Sequence, residues 1–439
     1  MNKKITKFFT VLILLITILF IKQIYVNNKK ENPKEDLKIE KNLPQDLGQY
    51  NLIDEEINED FLNWVQTNYG KEVLKKLKLK LENNEYDLSD WHNLTGNSII
   101  VLKDLYNNNY QNQKNVKIVD LKKDEITLSF IGDVSLADNF EIIPYYDSRN
   151  QGIYGILSED VVQILNKADL LIANNEFTIS DRGTPMKNKI YTFRANPNRM
   201  SIYNEMGVDL VTLANNHVFD FGQDAFMDTL ETLKQNNMPY IGAGKDINEA
   251  REPFYFIING YKIGFVNATR AEKYILTPEA KQDSPGVFRT YDPTMFKETI
   301  QNTKQQSDFV VALIHWGKED SHYLEEVQKE TGKQYIDAGA DILIGTHAHV
   351  LQGIEFYKDK PIVYNIGDFI FNRETKETGI FNMKITKDGT LSYEFIPCMQ
   401  HDFKTTLSTD EQKQKTLNNM QNWSINATFD VNGKITESK

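Results

Sequence analysis

The chain has 439 residues, which at roughly 150 residues per domain is room for one large domain with an appendage, or two to three smaller ones. A net charge of −12 argues against a general binder of nucleic acid or anionic lipid, because such proteins neutralise phosphates with an excess of Lys and Arg. The one cysteine, Cys398, excludes an intramolecular disulfide and a cysteine-held zinc or iron–sulfur site, so any metal must be held by His, Asp, Glu or Asn.

Lys3, Lys4 and Lys7 precede an uncharged run from Phe8 to Ile21, and Lys22 follows. The run reaches membrane-spanning length if the flanking lysines snorkel, so residues 1–26 are expected to be an uncleaved signal anchor with the body outside the cell membrane. A cleaved signal peptide is the rival reading, weakened by the lack of a small-x-small site after the run. Residues 27–49 read as a flexible stalk, rich in Lys, Glu, Asn and Pro. Over 50–115 apolar residues recur at helical spacing (Phe61, Trp64, Val65; Val73, Leu74, Leu77), predicting a small helical accessory module.

From Ile126 the pattern changes to short apolar runs alternating with helix-like stretches. The runs are Ile126–Ile131, Leu170–Ala173, Leu210–Leu213, Phe309–Ile314 and Ile342–Ile344. Helices are expected around Ser158–Lys167, Met200–Met206, Gly222–Asn236, Thr294–Gln305 and Tyr323–Ala338. Asn259-Gly260 between Phe254–Ile258 and Lys262–Val266 predicts a hairpin, and a second hairpin is expected at Phe381–Ile385 and Leu391–Ile396. Continuous apolar strands alternating with helices predict an α/β layered fold over 120–400, with a tail over 401–439 packing on it.

The residues just after the five runs carry the chemistry. They are Gly132-Asp133, Asn174-Asn175-Glu176, Asn215-Asn216-His217, His315-Trp316-Gly317 and Gly345-Thr346-His347-Ala348-His349. In α/β folds the carboxyl ends of strands converge on the functional crevice. No Lys or Arg stands at these ends. Carboxylates and imidazoles buried together without basic partners point to a divalent cation, with manganese, zinc or iron suited to mixed His and oxygen donors. The donors outnumber the needs of one ion, so one or two ions are expected. His347 and His349 are two apart, so in an extended segment both would point the same way. Each motif alone has an ordinary structural explanation, and the joint pattern carries the reading: four of seven histidines fall in these slots. His92 and His401 fall outside it and read as structural or surface residues; His322 is either a supporting or an exposed residue.

This order of blocks, with Gly242-Ala243-Gly244 and the late Tyr364-Asn365-Ile366-Gly367-Asp368-Phe369, resembles the CapA/PgsA capsule-synthesis family, which is tied to poly-γ-glutamate polymers and is similar to calcineurin-like metallophosphoesterases. The resemblance implies a four-layer α-β-β-α sandwich. It implies Asp133 as a ligand of one ion, Glu176 as the bridging carboxylate, and Asn216, His315 and His347 as ligands of the second ion. His349 would return to the first ion, and His217 would be the general acid. Asn174, Asn365 and Asp368 are expected to support the ligands, and Arg194, in Tyr191-Thr192-Phe193-Arg194, to clamp a carboxylate or phosphate. Ser135 departs from the phosphoesterase pattern, which has His there, and Glu176 stands where those enzymes have Asp. Two functions are implied: a metal-dependent hydrolase or transferase acting on an anionic surface polymer such as poly-γ-glutamate, or a non-catalytic accessory of a membrane polymer-synthase or export complex.

Overall fold

The computed structural model describes residues 57–110, 113–272 and 277–438. The expected anchor and stalk lie outside the described residues, and among those described no helix is long and apolar enough to cross a membrane. Asn58–Lys439 forms a compact unit.

Four helices open it: Glu59–Tyr69, Lys71–Glu82, Ser89–Thr95 and Ile99–Tyr106. Asn58 and Ser98 cap two of them by accepting from the amides of Phe61 and Val101. The apolar stripes read from the sequence meet in a core of Phe61, Val65, Val73, Leu74, Leu77, Trp91, Val101 and Leu102. This core docks on the Asn259-Gly260 turn. The Ser98 amide donates to the Gly260 carbonyl at 2.8 Å, His92 Nε2 bonds the Asn259 carbonyl at 2.8 Å, and the His92 ring stacks on Tyr261 with centroids 4.1 Å apart.

Two large sheets come next. One has seven strands in the order Val116–Val119, Phe254–Ile258, Tyr261–Thr269, Phe309–His315, Ile342–Thr346, Lys360–Val363, Ile354–Tyr357. The other has ten, with Glu125–Val134, Leu170–Asn175, Leu210–Thr212 and Tyr240–Ile241 running parallel along one half. Its other half is the antiparallel pair Lys376–Thr386 and Leu391–His401, to which Lys434–Glu437 adds near the C-terminus. The expected helices sit at Glu159–Leu165, Met200–Met206, Gly222–Gln235, Thr294–Lys304 and Glu326–Asp337, each within three residues of the sequence reading.

Strand alternation explains why the runs read as continuously apolar. Leu128 and Phe130, Leu170 and Ile172 share one apolar cluster with Ile263 and Phe265, Val311 and Leu313, Ile342 and Ile344 of the seven-stranded sheet. The intervening Ile131, Leu171 and Ala173 join a second cluster with the helical residues Val161, Ile202 and Phe226. Val310, Ala312, Ile314 and Leu343 join a third with Phe296, Ile300 and Tyr335. Both faces of each central strand are thus buried, as parallel strands in α/β proteins require.

Candidate metal centre

The strand ends meet. Glu125–Val134, Leu170–Asn175 and Leu210–Thr212 are neighbours in one sheet, and Phe309–His315 and Ile342–Thr346 are neighbours in the other. Asp133, Glu176 and His315 have no solvent exposure, and Asn216, His217 and His347 are buried.

Glu176 Oε1 is the centre. It lies 3.9 Å from His217 Nε2, 3.7 Å from His315 Nε2 and 3.8 Å from His349 Nε2, and it accepts no hydrogen bond. Glu176 Oε2 and Asp133 Oδ1 both accept from Asn174 Nδ2, at 3.2 and 2.8 Å. The Asn174 amide is fixed in that sense because its Oδ1 accepts from Thr212 and Asn215. Asp133 Oδ2 accepts the His347 amide at 3.1 Å and lies 3.4 Å from His349 Nδ1. His315 holds Thr346 Oγ1 with Nδ1 at 2.9 Å and Asn216 Oδ1 with Nε2 at 2.8 Å. His347 Nδ1, Ser135 Oγ and Asn365 Nδ2 are buried without hydrogen-bond partners. Asn365 Oδ1 accepts the Gly367 amide.

Electrostatics follow from this crowding. Burial, then the neighbouring Asp133 charge, pushes Glu176 well above the usual carboxylate range, and burial raises Asp368. Burial also opposes charge on Asp133, but hydrogen bonding and charge from His349 bring that carboxyl below its ordinary value. Burial pulls His217 down, His315 well down and His347 down to about 3, the last two also repelled by neighbouring imidazoles. His349 goes the other way: burial would lower it, but the facing Asp368 and Glu176 carboxylates hold it well above the ordinary imidazole value. Without a cation, protons on Glu176 and His349 offset the negative charge. A divalent ion fits the same place. Among the described residues three donor sets each lie within 4.8 Å of one another: Glu176, His347 and His349; Asp133, Glu176 and His315; Asp133, His349 and Asp368.

Two expectations need correction. His347 and His349 do not lie in an extended segment: the strand ends at Thr346, and both have positive φ (96° and 57°). A turn, not strand alternation, brings them together, a backbone conformation rare outside glycine and found where the surroundings enforce it. The site does not lack cations either, because loops outside the strand ends deliver Lys189 and Lys376. Arg194 is not drawn into the cluster. Its guanidinium donates to the carbonyls of Arg182 and Gly183, lies 4.4 Å from the Phe221 ring centroid and borders a separate polar cavity of about 400 Å³ with Asp138, Asp181 and Arg199. His322 stacks on Trp423 and bonds the Leu351 carbonyl, away from the cluster.

The sequence reading missed Asp220. Its Oδ2 accepts from His217 Nδ1 at 2.7 Å, and the His-x-x-Asp spacing was the available signal. It also missed Glu272, which accepts from Asn216 Nδ2 and reaches the site from a distant loop.

The family model described as Bacterial capsule synthesis protein PGA_cap matches residues 127–373, more than half of the chain and every ligand candidate above. The chain belongs to this family. Among its relatives, PGA biosynthesis protein CapA of Bacillus subtilis (strain 168) is 28% identical over 307 residues, covering 69% of this chain and 79% of the relative. Capsule biosynthesis protein CapA of Bacillus anthracis is 26% identical over 288 residues, covering 63% and 68%. A probable polyglutamine synthesis accessory protein of Mycobacterium tuberculosis is 28% identical over 215 residues, covering 47% of this chain and 56% of its own length. Among solved structures, a 5'-nucleotidase from Candida albicans aligns with TM-score 0.36 at 15% identity over 68% of this chain and 55% of that one. TT1561 of Thermus thermophilus aligns with TM-score 0.32 at 8% identity over 62% and 98%. Both scores are too low for likeness of fold, and the two-sheet architecture stands on this chain's own hydrogen-bond pattern.

Proposed function

We propose that this chain is a membrane-anchored protein of capsule poly-γ-glutamate biosynthesis that binds one or two divalent ions (manganese, zinc or iron) and hydrolyses or transfers a bond in an anionic surface polymer. The observation that carries the reading is Glu176 Oε1, a buried carboxylate oxygen with no hydrogen bond and three imidazole Nε2 atoms 3.7–3.9 Å away. Asp133, Glu176, Asn216, His315, His347 and His349 would hold the ions. When bound, an ion supplies Lewis acidity and charge neutralisation. His217 donates from Nδ1 to Asp220 and aims Nε2 at the centre; once Nε2 takes up a proton, with Asp220 balancing the imidazolium, it could protonate a leaving group. Arg194 remains the candidate clamp for a substrate carboxylate, which would need to enter the cavity it borders. The shared apolar cluster and the helical clusters on the outer strand faces support a helix–sheet–sheet–helix stack. The Phe8–Ile21 run supports the anchor.

Metal analysis of the purified chain tests the first step. Stoichiometric manganese, zinc or iron is expected, and a chain that retains none after reconstitution overturns the reading. With metal present, His217→Ala should lower turnover of phosphoester or γ-glutamyl substrates by about two orders of magnitude or more.

A second reading, a non-catalytic accessory of a membrane polymer synthase, is favoured by Ser135 in the place of an imidazole. Capsule formation that survives His217→Ala in cells would select it.

A further inference from the structure

Two of the three histidines whose Nε2 atoms lie near Glu176 Oε1 are held by matching devices. His217 Nδ1 meets Asp220 Oδ2 at 2.7 Å, and Asp220 Oδ1, which accepts no hydrogen bond, is ion-paired with Lys189 Nζ at 2.8 Å. His349 Nδ1 meets Asp368 Oδ1 at 2.7 Å, and Asp368 Oδ2 meets Lys376 Nζ at 3.5 Å. In both cases the other ring nitrogen is the one that faces Glu176 Oε1. The likeness does not come from local sequence. Asp220 is three residues after His217, whereas Asp368 comes from the strand that pairs with Glu125–Val134, and the lysines lie on unrelated segments.

We propose that Lys189 and Lys376 are positioning residues, each occupying one oxygen of a buried carboxylate so that the other oxygen holds a histidine by its Nδ1–H and aims its Nε2 at the centre. The proposal rests on the metal-binding reading for its purpose, not for its geometry. A carboxylate only accepts, so an imidazole nitrogen against it must donate. That keeps a proton on Nδ1 as long as the carboxylate stays put and ionised. Asp220 and Asp368 have no solvent exposure, so a freed oxygen would have no water to turn to. Side chains only 5% and 14% exposed place Lys189 and Lys376 in that role, unlike Lys415 at 73%. Lys189 also donates to the carbonyl of Asn216, and Asp220 Oδ2 accepts the Phe193 amide at 2.8 Å, so this device ties two loops to His217. Both ammonium groups are shared, Lys189 with Glu272 at 3.8 Å and Lys376 with Asp320 at 3.3 Å and Glu374 at 3.1 Å, and with a primary contact of 3.5 Å against 2.8 Å the Lys376 device is the looser. Its removal should therefore disturb its histidine less.

The experiment uses the full chain with Lys189→Met, Lys376→Met and the corresponding Arg variants. Side-chain nitrogen NMR of the histidines reads the tautomers, and titration with Mn²⁺ alone reads affinity. In the wild type His217 should be the neutral Nδ1–H tautomer, and His349, held protonated by the facing carboxylates, should show an Nδ1–H bonded to Asp368. Lys189→Met should give His217 a mixed tautomer while His349 is unchanged, and Lys376→Met should leave His217 unchanged and shift the Nδ1–H resonance of His349 to a smaller extent. Mn²⁺ affinity should fall in Lys376→Met, because His349 is a ligand, by up to the roughly 10-fold usual for removing a partner behind a ligand; it should change little in Lys189→Met, because His217 is not one, and Arg should restore each readout. Unchanged histidine resonances in both Met variants, with Mn²⁺ affinity within twofold of wild type, would overturn the proposal. If Lys189→Met does not fold, Lys189→Gln, which keeps a donor without the charge, is read by the same criteria. A wild type that binds no Mn²⁺ but shows the tautomer changes would refute the metal reading and leave the positioning role standing.

Discussion

Glu176→Gln separates a carboxylate kept for a cation from one kept for structure. The substitution conserves shape and removes the charge. In the metal-free chain Glu176 Oε1 accepts no hydrogen bond and the group is pushed well above the carboxylate range by burial, so the charge itself contributes no stability there. The variant should be as stable as wild type in chelator, or slightly more so. Added metal reverses the order. A ligand at 100 times its dissociation constant stabilises by about 2.7 kcal/mol. For the unit Asn58–Lys439, roughly 380 residues at about 2.1 cal/mol/K each give an unfolding entropy near 0.8 kcal/mol/K. The expected rise in Tm is therefore about 3 °C for wild type and under 1 °C for Glu176→Gln. Differential scanning calorimetry with EDTA and with graded Mn²⁺ or Zn²⁺ measures both. A variant that loses several degrees in EDTA, or that gains as much from metal as wild type, would show that Glu176 is a structural acid and refute the reasoning.

Other outcomes can be checked alongside. Asp308 is half-buried, accepts from Ser98 Oγ and the Lys262 amide, and is pushed by desolvation up to about 6. Its folded pKa lies above its unfolded value, so its contribution is present below about pH 4 and lost as pH rises through 6. The swing is about 3 kcal/mol, and Asp308→Asn should flatten the stability–pH curve over that window in denaturant titrations. Gly132→Ala should destabilise by about 3 kcal/mol and abolish metal retention, since its Cβ would stand 1.7 Å from the Gly367 carbonyl oxygen beside Asp133; a soluble variant with wild-type Tm would contradict this. Ser135→Ala removes a buried hydroxyl without a partner, so stability should hold or rise by up to about 1 kcal/mol. Mn²⁺ affinity should not change, and a large loss by calorimetric titration would make Ser135 a ligand.

The sequence by itself determined the strands and the polar residues that close them. Apolar runs with both faces buried are long enough to recognise without knowing their partners, and Asp133, Glu176, Asn216, His217, His315, His347 and His349 stand at or just after their ends. What it could not determine was any relation between distant segments. Lys189 and Lys376 look like surface charges in the chain, and only packing drives their ammonium groups onto Asp220 and Asp368. His347 and His349 converge through positive φ, a conformation no spacing rule signals. Arg194 sits in a recognisable block, but only packing shows that its guanidinium rests against nearby carbonyls outside the cluster. The physical reason is the same throughout. Hydrophobic periodicity is a local property that survives in the linear chain, whereas burial, charge pairing and the aim of a side chain exist only once the two sheets have closed on their shared core.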